Sequence, residues 1–380
     1  MAVHEALWAE IDLKAIRHNF RLSADMAGPG AQVMAVVKAD AYGHGAVEVA
    51  KAVAEEGAGA LGVARICEAE ELRRAGLDLP ILIFGYTPPC DAARLADQDI
   101  TQAVFSRDYA LELDKAAEKA GCTVKGHLKI DSGMGRIGFL PPGNHGTQSV
   151  SESMGFLLDL KHIRLDGLFT HFASSDGKDL TKARKQLTTF ASTLRELQNA
   201  GFSFSHVHAA NSAAIMSMPE ARFDMVRQGI SLYGLYPSDE MDKNLMDLWP
   251  AMSIKATLAE VKRVPAGFSV SYGHTYVTER ETLIGTVPVG YADGYDRHLS
   301  SAGTMLVRGR RVPVVGRVCM DQTMIDLGNV PDAEPGDEVV ILGRQGQEEV
   351  SADEIARQID TINYEVVSRI MPRVKRIYAG

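Results

Sequence analysis

The sequence predicts an α/β fold, a closed (β/α)8 TIM-like barrel followed by a mainly β domain, and three observations carry that expectation. Between residues 33 and 234, eight short apolar runs alternate with amphipathic or Ala/Glu/Lys-rich segments. Parallel neighbours need a crossover connection, so strict strand–helix alternation implies a parallel sheet, and eight such units are the number that closes one into a barrel. Past residue 245 the runs become β-branched, are broken by Gly and Pro, and lose helical periodicity until SADEIARQIDTINYEVVSRI. A chain of 380 residues also exceeds what one core of ordinary size serves.

The barrel runs, in order, are VMAVVK, LGVAR, PILIFG, QAVFS, VKGHLKID, LDGLFTHF, SHVHAAN and VRQGISLYG. Between them lie AVEVAKAVAEEG, CEAEELRRAG, RDYALELDKAAEKAG and KDLTKARKQLTTFASTLRELQNAG, which close on the glycine that helix C-termini prefer. The barrel is placed at residues 11–244 and the β domain at 245–380, joined by the N-terminal residues 1–10, where LWAEID begins as a strand.

Composition excludes several classes. With 40 Lys+Arg against 49 Asp+Glu the net charge is −9, and no basic cluster suits nucleic acid. No apolar run is long enough to cross a bilayer, and no basic segment followed by an apolar core opens the chain. Cys67, Cys90, Cys122 and Cys319 form neither a CxxC pair nor a His/Cys cluster, so neither a metal site nor a disulfide framework is expected. These features point to a soluble, cytoplasmic protein without membrane or nucleic-acid partners.

Lys38 ends the first barrel strand, where such barrels keep their chemistry. A lone lysine there ordinarily snorkels to water. Tyr42, Gly43, His44 and Gly45 follow it where the next helix begins, and glycine lets a ligand approach backbone N–H groups. A nucleophilic lysine beside an anion-binding turn suits an aldehyde cofactor that carries a phosphate.

In the fifth strand Lys129 and Asp131 share one face, so an ion pair is the direct expectation. The loop SGMGRIG then presents Arg136, whose planar fork suits a carboxylate or phenolate. His171 ends the sixth strand, while His206 and His208 read as hydrogen-bonded structural residues. Ser212 has two readings, a helix N-cap or a phosphate ligand. Arg227 lies on the eighth strand, and the late loops of such barrels bind phosphate, making the Gly229 and Ile230 amides candidates. In the second domain Tyr272, Met320 and Tyr364 are surface residues on composition alone. A tyrosine, with a pKa near ~10, becomes a base only beside cations.

Taken together, VMAVVKADAYGHG, HLKIDSGMGRIGF, THFASSD, HAANSAA, VRQGISLYG, VSYGHTY, VGYADGY, GRVCMDQ and INYEV resemble, in order from residue 33 to 366, the alanine racemase family of pyridoxal 5′-phosphate enzymes. The resemblance implies that Lys38 holds the cofactor aldehyde and, once released, is the base on one face of the substrate α-carbon. Tyr272 of the other subunit would work on the opposite face, in a homodimer with shared active sites. Arg227 would face the pyridine nitrogen and leave it unprotonated, with His171 linking this arginine towards Tyr272. Arg136 would lie near the phenolic oxygen and the substrate carboxylate, and Lys129 matches a lysine carbamylated in many members. Tyr42, Ser212, Gly229, Ile230 and Tyr364 correspond to phosphate-holding positions, and the Met320 N–H to a carboxylate donor. Arg297, Tyr291 and Asp293 resemble an entrance corridor or are solvated loop residues.

The activity implied is interconversion of L- and D-alanine, supplying D-alanine for cell-wall peptidoglycan. A broader small-amino-acid racemase, acting on serine as well as alanine, is the near alternative, against which Lys129 argues because an uncharged residue is expected there. A decarboxylase of the same barrel type would leave VSYGHTY without a role, and a pyridoxal-phosphate carrier would not need the second domain. Departures from the family pattern are expected at His274 and in LPPGNHGTQS, Leu140 to Ser149.

Overall fold

A computed structural model describes residues 5–141 and 153–380 of the chain. Its described residues divide into two compact units, one within 15–41 and 46–249, the other within 5–14, 42–45 and 250–380. Most of the Leu140 to Ser149 stretch lies outside the described residues.

In the first unit eight parallel strands close into a barrel. They are β1 (Gln32–Val36), β2 (Ala60–Val63), β3 (Ile81–Ile83), β4 (Ile100–Val104), β5 (Val124–Lys129), β6 (Ile163–Phe169), β7 (His206–His208) and β8 (Met225–Gln228). Closure is visible at β1, where Met34 lies opposite Ala60 of β2 and Arg227 of β8. Strands β2, β3 and β4 are buried throughout, as strands covered on both faces must be. Met34, Ala60, Leu82 and Met225 pack together with Phe84 against them.

The surrounding helices obey ordinary capping chemistry. Helix Arg107–Ala120 starts at Ser106, whose hydroxyl accepts the Tyr109 amide at 3.3 Å, and stops at Gly121 in the left-handed conformation. Tyr109, Ala110, Leu113 and Ala117 form its buried stripe.

The second unit is mainly β. Its largest sheet runs in the order Arg310–Pro313, Thr304–Val307, Glu338–Gln345, Met252–Thr257, Leu7–Asp12, Lys375–Ala379. The N-terminal strand Leu7–Asp12 therefore sits between two late strands, antiparallel to Met252–Thr257 and parallel to Lys375–Ala379. A three-stranded sheet joins Glu260–Val264, Thr282–Val287 and Thr323–Asp326. Val264, Val270, Ile284 and Val315 form an apolar cluster beneath it.

Between β1 and helix Ala46–Glu55 the backbone winds the wrong way. Ala39, Asp40, Ala41 and Tyr42 all have φ between 51° and 53°, a left-handed turn built from residues with a Cβ. Each such residue costs about 1–2 kcal/mol relative to the right-handed form. Gly43 continues it at φ 84°, and a Cβ there would lie 2.2 Å from the Val367 carbonyl oxygen. We expect Gly43→Ala to lower stability by about 1–3 kcal/mol, since neither backbone segment can yield. An unchanged urea unfolding midpoint would show that the turn has no such contact.

Candidate functional site

Lys38 is delivered where β1 ends. The Val37 amide still donates to the Gly62 carbonyl at 2.9 Å, and the left-handed turn follows Lys38 directly. Burial lowers the pKa of its ammonium and Arg136 lowers it further, while Glu68 opposes both. The result is a lysine with an enlarged fraction of nucleophilic neutral amine.

Asp131 accounts for the loop that carries Arg136. Its Oδ1 accepts the amides of Gly133, Met134 and Gly135 at 3.0, 2.7 and 3.0 Å, and its Oδ2 accepts the Arg136 amide at 2.9 Å. Burial pushes this carboxyl up, but the four amides outweigh it and hold the pKa below the ordinary value. The expected ion pair with Lys129 is therefore replaced by a loop clasp. Lys129 is buried and donates instead to the Ile130 carbonyl at 2.8 Å. Burial, then Arg227, brings its pKa down to about 7, with Asp131 opposing and Arg136 adding to the fall.

Arg227, on β8, is buried and surrounded by acceptors. Its guanidinium donates to the carbonyls of Thr170 and Ala209, both at 2.8 Å, and reaches His208 Nδ1 at 3.0 Å and His171 Nδ1 at 3.4 Å. A guanidinium has no lone pair to offer, so both Nδ1 atoms must be acceptors. Each imidazole then carries its proton on Nε2. His208 Nε2–H donates to His127 Nδ1 at 2.9 Å, which fixes the His127 proton on Nε2, facing Asp166 Oδ1 at 3.6 Å. Burial holds all three rings neutral, assisted by Arg227: His171 and His208 lie well below the ordinary value, and His127 falls to about 3 with His206 contributing ahead of Arg227. Burial and then Arg136 lower the Arg227 pKa to about 9, which still leaves it a cation at neutral pH.

Ser212 is not the helix cap. Asn211 holds that position, its Oδ1 accepting the Ala214 amide at 3.0 Å, because an Asn side chain reaches the third amide as well as a Ser does. Ser212 Oγ instead accepts the amides of Gly229 at 2.9 Å and Ser231 at 3.3 Å. Ser231 Oγ is buried without a partner among the described residues, and Ile230 is buried beside it. Hydroxyls and amides gathered around a buried, unpartnered oxygen fit a phosphate, and an amine at the end of β1 fits an aldehyde.

In the other unit the rings of Tyr42 and Tyr364 lie 6.1 Å apart, and burial pushes the Tyr42 hydroxyl pKa up. Elsewhere in that unit an open cleft of about 610 Å³ is lined by Tyr272, His274, Cys319 and Met320. Tyr272 is 71% exposed. Its segment is tied down by Ser271, which has φ 65° and donates to the Arg317 carbonyl at 2.6 Å. The Cys319 and Met320 carbonyls accept the amides of Tyr291 and Ala292. Asp293 is buried, accepting from the Gly290 amide at 2.8 Å and Arg373 Nε at 2.6 Å, so it braces this segment rather than lying in solvent. Tyr291 and Arg297 are exposed.

The barrel unit thus gathers Lys38, Lys129, Arg136, His171, Ser212, Arg227, Gly229 and Ile230. The β unit carries Tyr42 with Tyr364, and Tyr272 with Met320. Sequence reasoning missed His127, which meets His208 across strands 81 residues apart, Ser231, buried beside Ser212, and Glu68, whose carboxylate accepts backbone amides. Among the described residues no cluster of His, Cys, Asp and Glu could hold a metal, and no helix is long and apolar enough to cross a membrane.

The N-terminal domain model of alanine racemases matches residues 11–237, and the C-terminal domain model matches residues 251–378. Alanine racemase of Desulfosudis oleivorans is 50% identical over 377 residues, spanning 98% of this chain and 96% of the relative. That of Methanococcus maripaludis is 45% identical, spanning 99% of both chains. The solved alanine racemase of Clostridium difficile 630 superposes with a TM-score of 0.93 at 40% identity, covering 100% of this chain and 97% of that one. A solved alanine racemase of Bacillus anthracis with bound L-Ala-P gives 0.93 at 40% identity, covering 100% and 96%.

The neutral histidines make stability depend on pH. Unfolded imidazoles titrate near 6.5, and the folded values lie far below. Below that pH the unfolded chain binds protons the folded chain refuses, so stability falls as pH drops, by about 1.4 kcal/mol per pH unit for each histidine. Replacing His127 by Asn should flatten the fall in urea midpoint between about pH 6 and 4. An unchanged slope would mean that the ring titrates freely in the folded chain.

Proposed function

Because the chain belongs to the alanine racemase family, which are isomerases, we propose that it interconverts L- and D-alanine with pyridoxal 5′-phosphate by a two-base mechanism. The observation that carries this reading is Lys38, an amine biased towards its neutral form at the mouth of the barrel among Arg136 and Arg227. When bound, the cofactor supplies a conjugated ring that takes up the electron pair left as the α-proton departs.

The chain's own residues supply the rest. Lys38 holds the cofactor and, once displaced by substrate, takes or returns the proton on one face of the α-carbon. Tyr272 of the partner subunit does the same on the opposite face, and its exposure suits a residue that completes a site elsewhere. Each base removes the proton of one enantiomer while the other's acid form delivers a proton to the far side. Arg227, held as a cation by acceptors alone, would face the ring nitrogen without yielding its proton, which favours return of the proton to the α-carbon over transamination. His171, on Arg227, would extend the chain towards Tyr272. Arg136 and the Met320 N–H of the partner would hold the substrate carboxylate. Tyr42, Ser212, Gly229, Ile230 and Tyr364 would hold the phosphate. The working form is then a homodimer, cytoplasmic, and a source of D-alanine for peptidoglycan.

Lys129 has its own chemistry. With its pKa brought down to about 7 its amine has a much enlarged neutral fraction, and a neutral amine adds CO2, forming an N–C bond and releasing one proton to give a carbamate anion. That change replaces a cation crowded by Arg136 and Arg227 with a counter-ion able to orient Arg136. Protein equilibrated with 13C-bicarbonate above pH 7 should show a carbamate carbon signal that Lys129→Gln lacks. A signal unaltered by that substitution would remove the assignment.

Holoenzyme incubated with L-alanine in D2O should give D-alanine deuterated at the α-carbon. Tyr272→Phe should slow proton removal from one enantiomer by about 100-fold or more, and from the other far less. Exchange without inversion, or equal modest losses, would discard Tyr272 as the second base. CO2 release would indicate a decarboxylase, and no exchange with any amino acid a carrier.

A further inference from the structure

The left-handed turn after Lys38 is held in place by a carboxylate from a neighbouring barrel unit. Glu68 Oε1 accepts the Ala39 amide at 2.7 Å, and its Oε2 accepts the amides of Ala64 at 2.7 Å and Arg65 at 3.0 Å. One side chain on helix Ile66–Arg74 therefore joins the residue next to Lys38 to the backbone just beyond β2. The turn is also anchored by Ala41 N–H on the Val37 carbonyl at 2.9 Å and Ala46 N–H on Asp40 Oδ1 at 2.8 Å. Neither grips the backbone of Ala39. Without Glu68 the Ala39 amide loses its acceptor, and the strain of the left-handed φ then favours relaxation there, which would rotate the Lys38 side chain with the peptide.

We propose that Glu68 is a positioning residue for the reaction: it clamps the strained turn at Ala39 and so sets the direction in which Lys38 presents its amine. The inference rests on the reading that Lys38 carries the cofactor. The same carboxylate is also a capping residue of its own helix, since it accepts the Arg65 amide. A purely structural cap would act on stability alone, whereas a clamp acts on Lys38. Glu68 also has an electrostatic signature, because its charge raises the Lys38 pKa against the effects of burial and Arg136.

The test uses the full-length chain freed of cofactor. Pyridoxal phosphate is added, the imine is fixed with borohydride at intervals across a range of pH, and peptide mass mapping reads the amount on Lys38. Glu68→Gln keeps one acceptor oxygen and turns an amide N–H₂ against a second N–H, breaking the clamp. Its plateau rate of capture at high pH should fall roughly tenfold or more, and the pH midpoint should move down because a raising charge is gone. Glu68→Asp keeps the charge and the helix cap but is one methylene too short to span both sides. It should lose plateau rate with the midpoint nearly unmoved, and it serves if Glu68→Gln fails to fold. Adding Ala39→Gly to either variant, which makes the left-handed φ free of strain, should recover part of the rate.

Plateau rates equal to the parent's in both variants, with only the melting temperature lowered, would reduce Glu68 to a helix cap and overturn the inference. Slowed rates that Ala39→Gly does not recover would also overturn the clamp. Failure of the parent chain to label at Lys38 would instead strike the underlying reading of the site, which keeps the two failures distinguishable.

Discussion

The structure turns on one buried cation. Arg227 is 3% exposed, and a charge taken that far from water must be given hydrogen-bond acceptors or it destabilises the fold. Among the described residues no carboxylate is in direct contact with it: two carbonyls at strand ends and two imidazole nitrogens accept its N–H groups. Those imidazoles serve only while neutral, since a protonated ring would turn a donor towards a donor. Burial enforces neutrality, and the arginine's lack of a lone pair then dictates the tautomer of His208 and, through it, of His127. Phe169 completes the surroundings, stacking on His208 at 4.9 Å between centroids and turning its ring towards Arg227 and Lys129.

Burial and neighbouring cations together set the behaviour of the lysines. Lys38 and Lys129 share a region with Arg136 and Arg227, so each ammonium is opposed both by burial and by like charge. For Lys38 the outcome is an amine ready to attack an aldehyde. For Lys129 it is an amine with a lowered pKa, which Asp131 opposes only in part while both its oxygens accept amides from the loop of Arg136. A lysine in that position is relieved by becoming an anion, and addition of CO2 is a route that needs no further side chain.

Much of this was legible in the sequence, and the boundary is physical. The eight strands could be read because closed-barrel strands are buried on both faces and leave continuous apolar runs between helical segments. Lys38, Arg136, His171 and Arg227 stood at strand ends or on an adjoining loop, the places where a barrel exposes its side chains. What could not be read were contacts made by closure. His127 and His208 are 81 residues apart and meet only because β5 and β7 flank β6. The Asp131 clasp was hidden because its donors are backbone amides, invisible in residue identity. The left-handed turn was hidden because ADAY contains no glycine, so local preference argued against the conformation that the surrounding hydrogen bonds impose. At Ser212 the sequence offered two readings, and the competing cap one residue earlier removed the first of them.

The two proposed bases also explain why a single buried pocket in one unit would be a poor design for this chemistry. An amine and a phenol begin with pKa values near ~10, but burial moves them in opposite directions, since it disfavours a charged ammonium and equally disfavours a charged phenolate. Burial therefore improves Lys38 as a base and spoils a tyrosine, as the raised values of Tyr42 and Tyr295 illustrate. Lys38 accordingly belongs to the cation-lined barrel, and Tyr272 stays 71% exposed on a braced edge of the β unit. In the proposed homodimer, cations from a second copy of the barrel would be the ones to favour an ionised phenol. On this argument the proposed shared site would follow from the opposite response of the two side chains to burial.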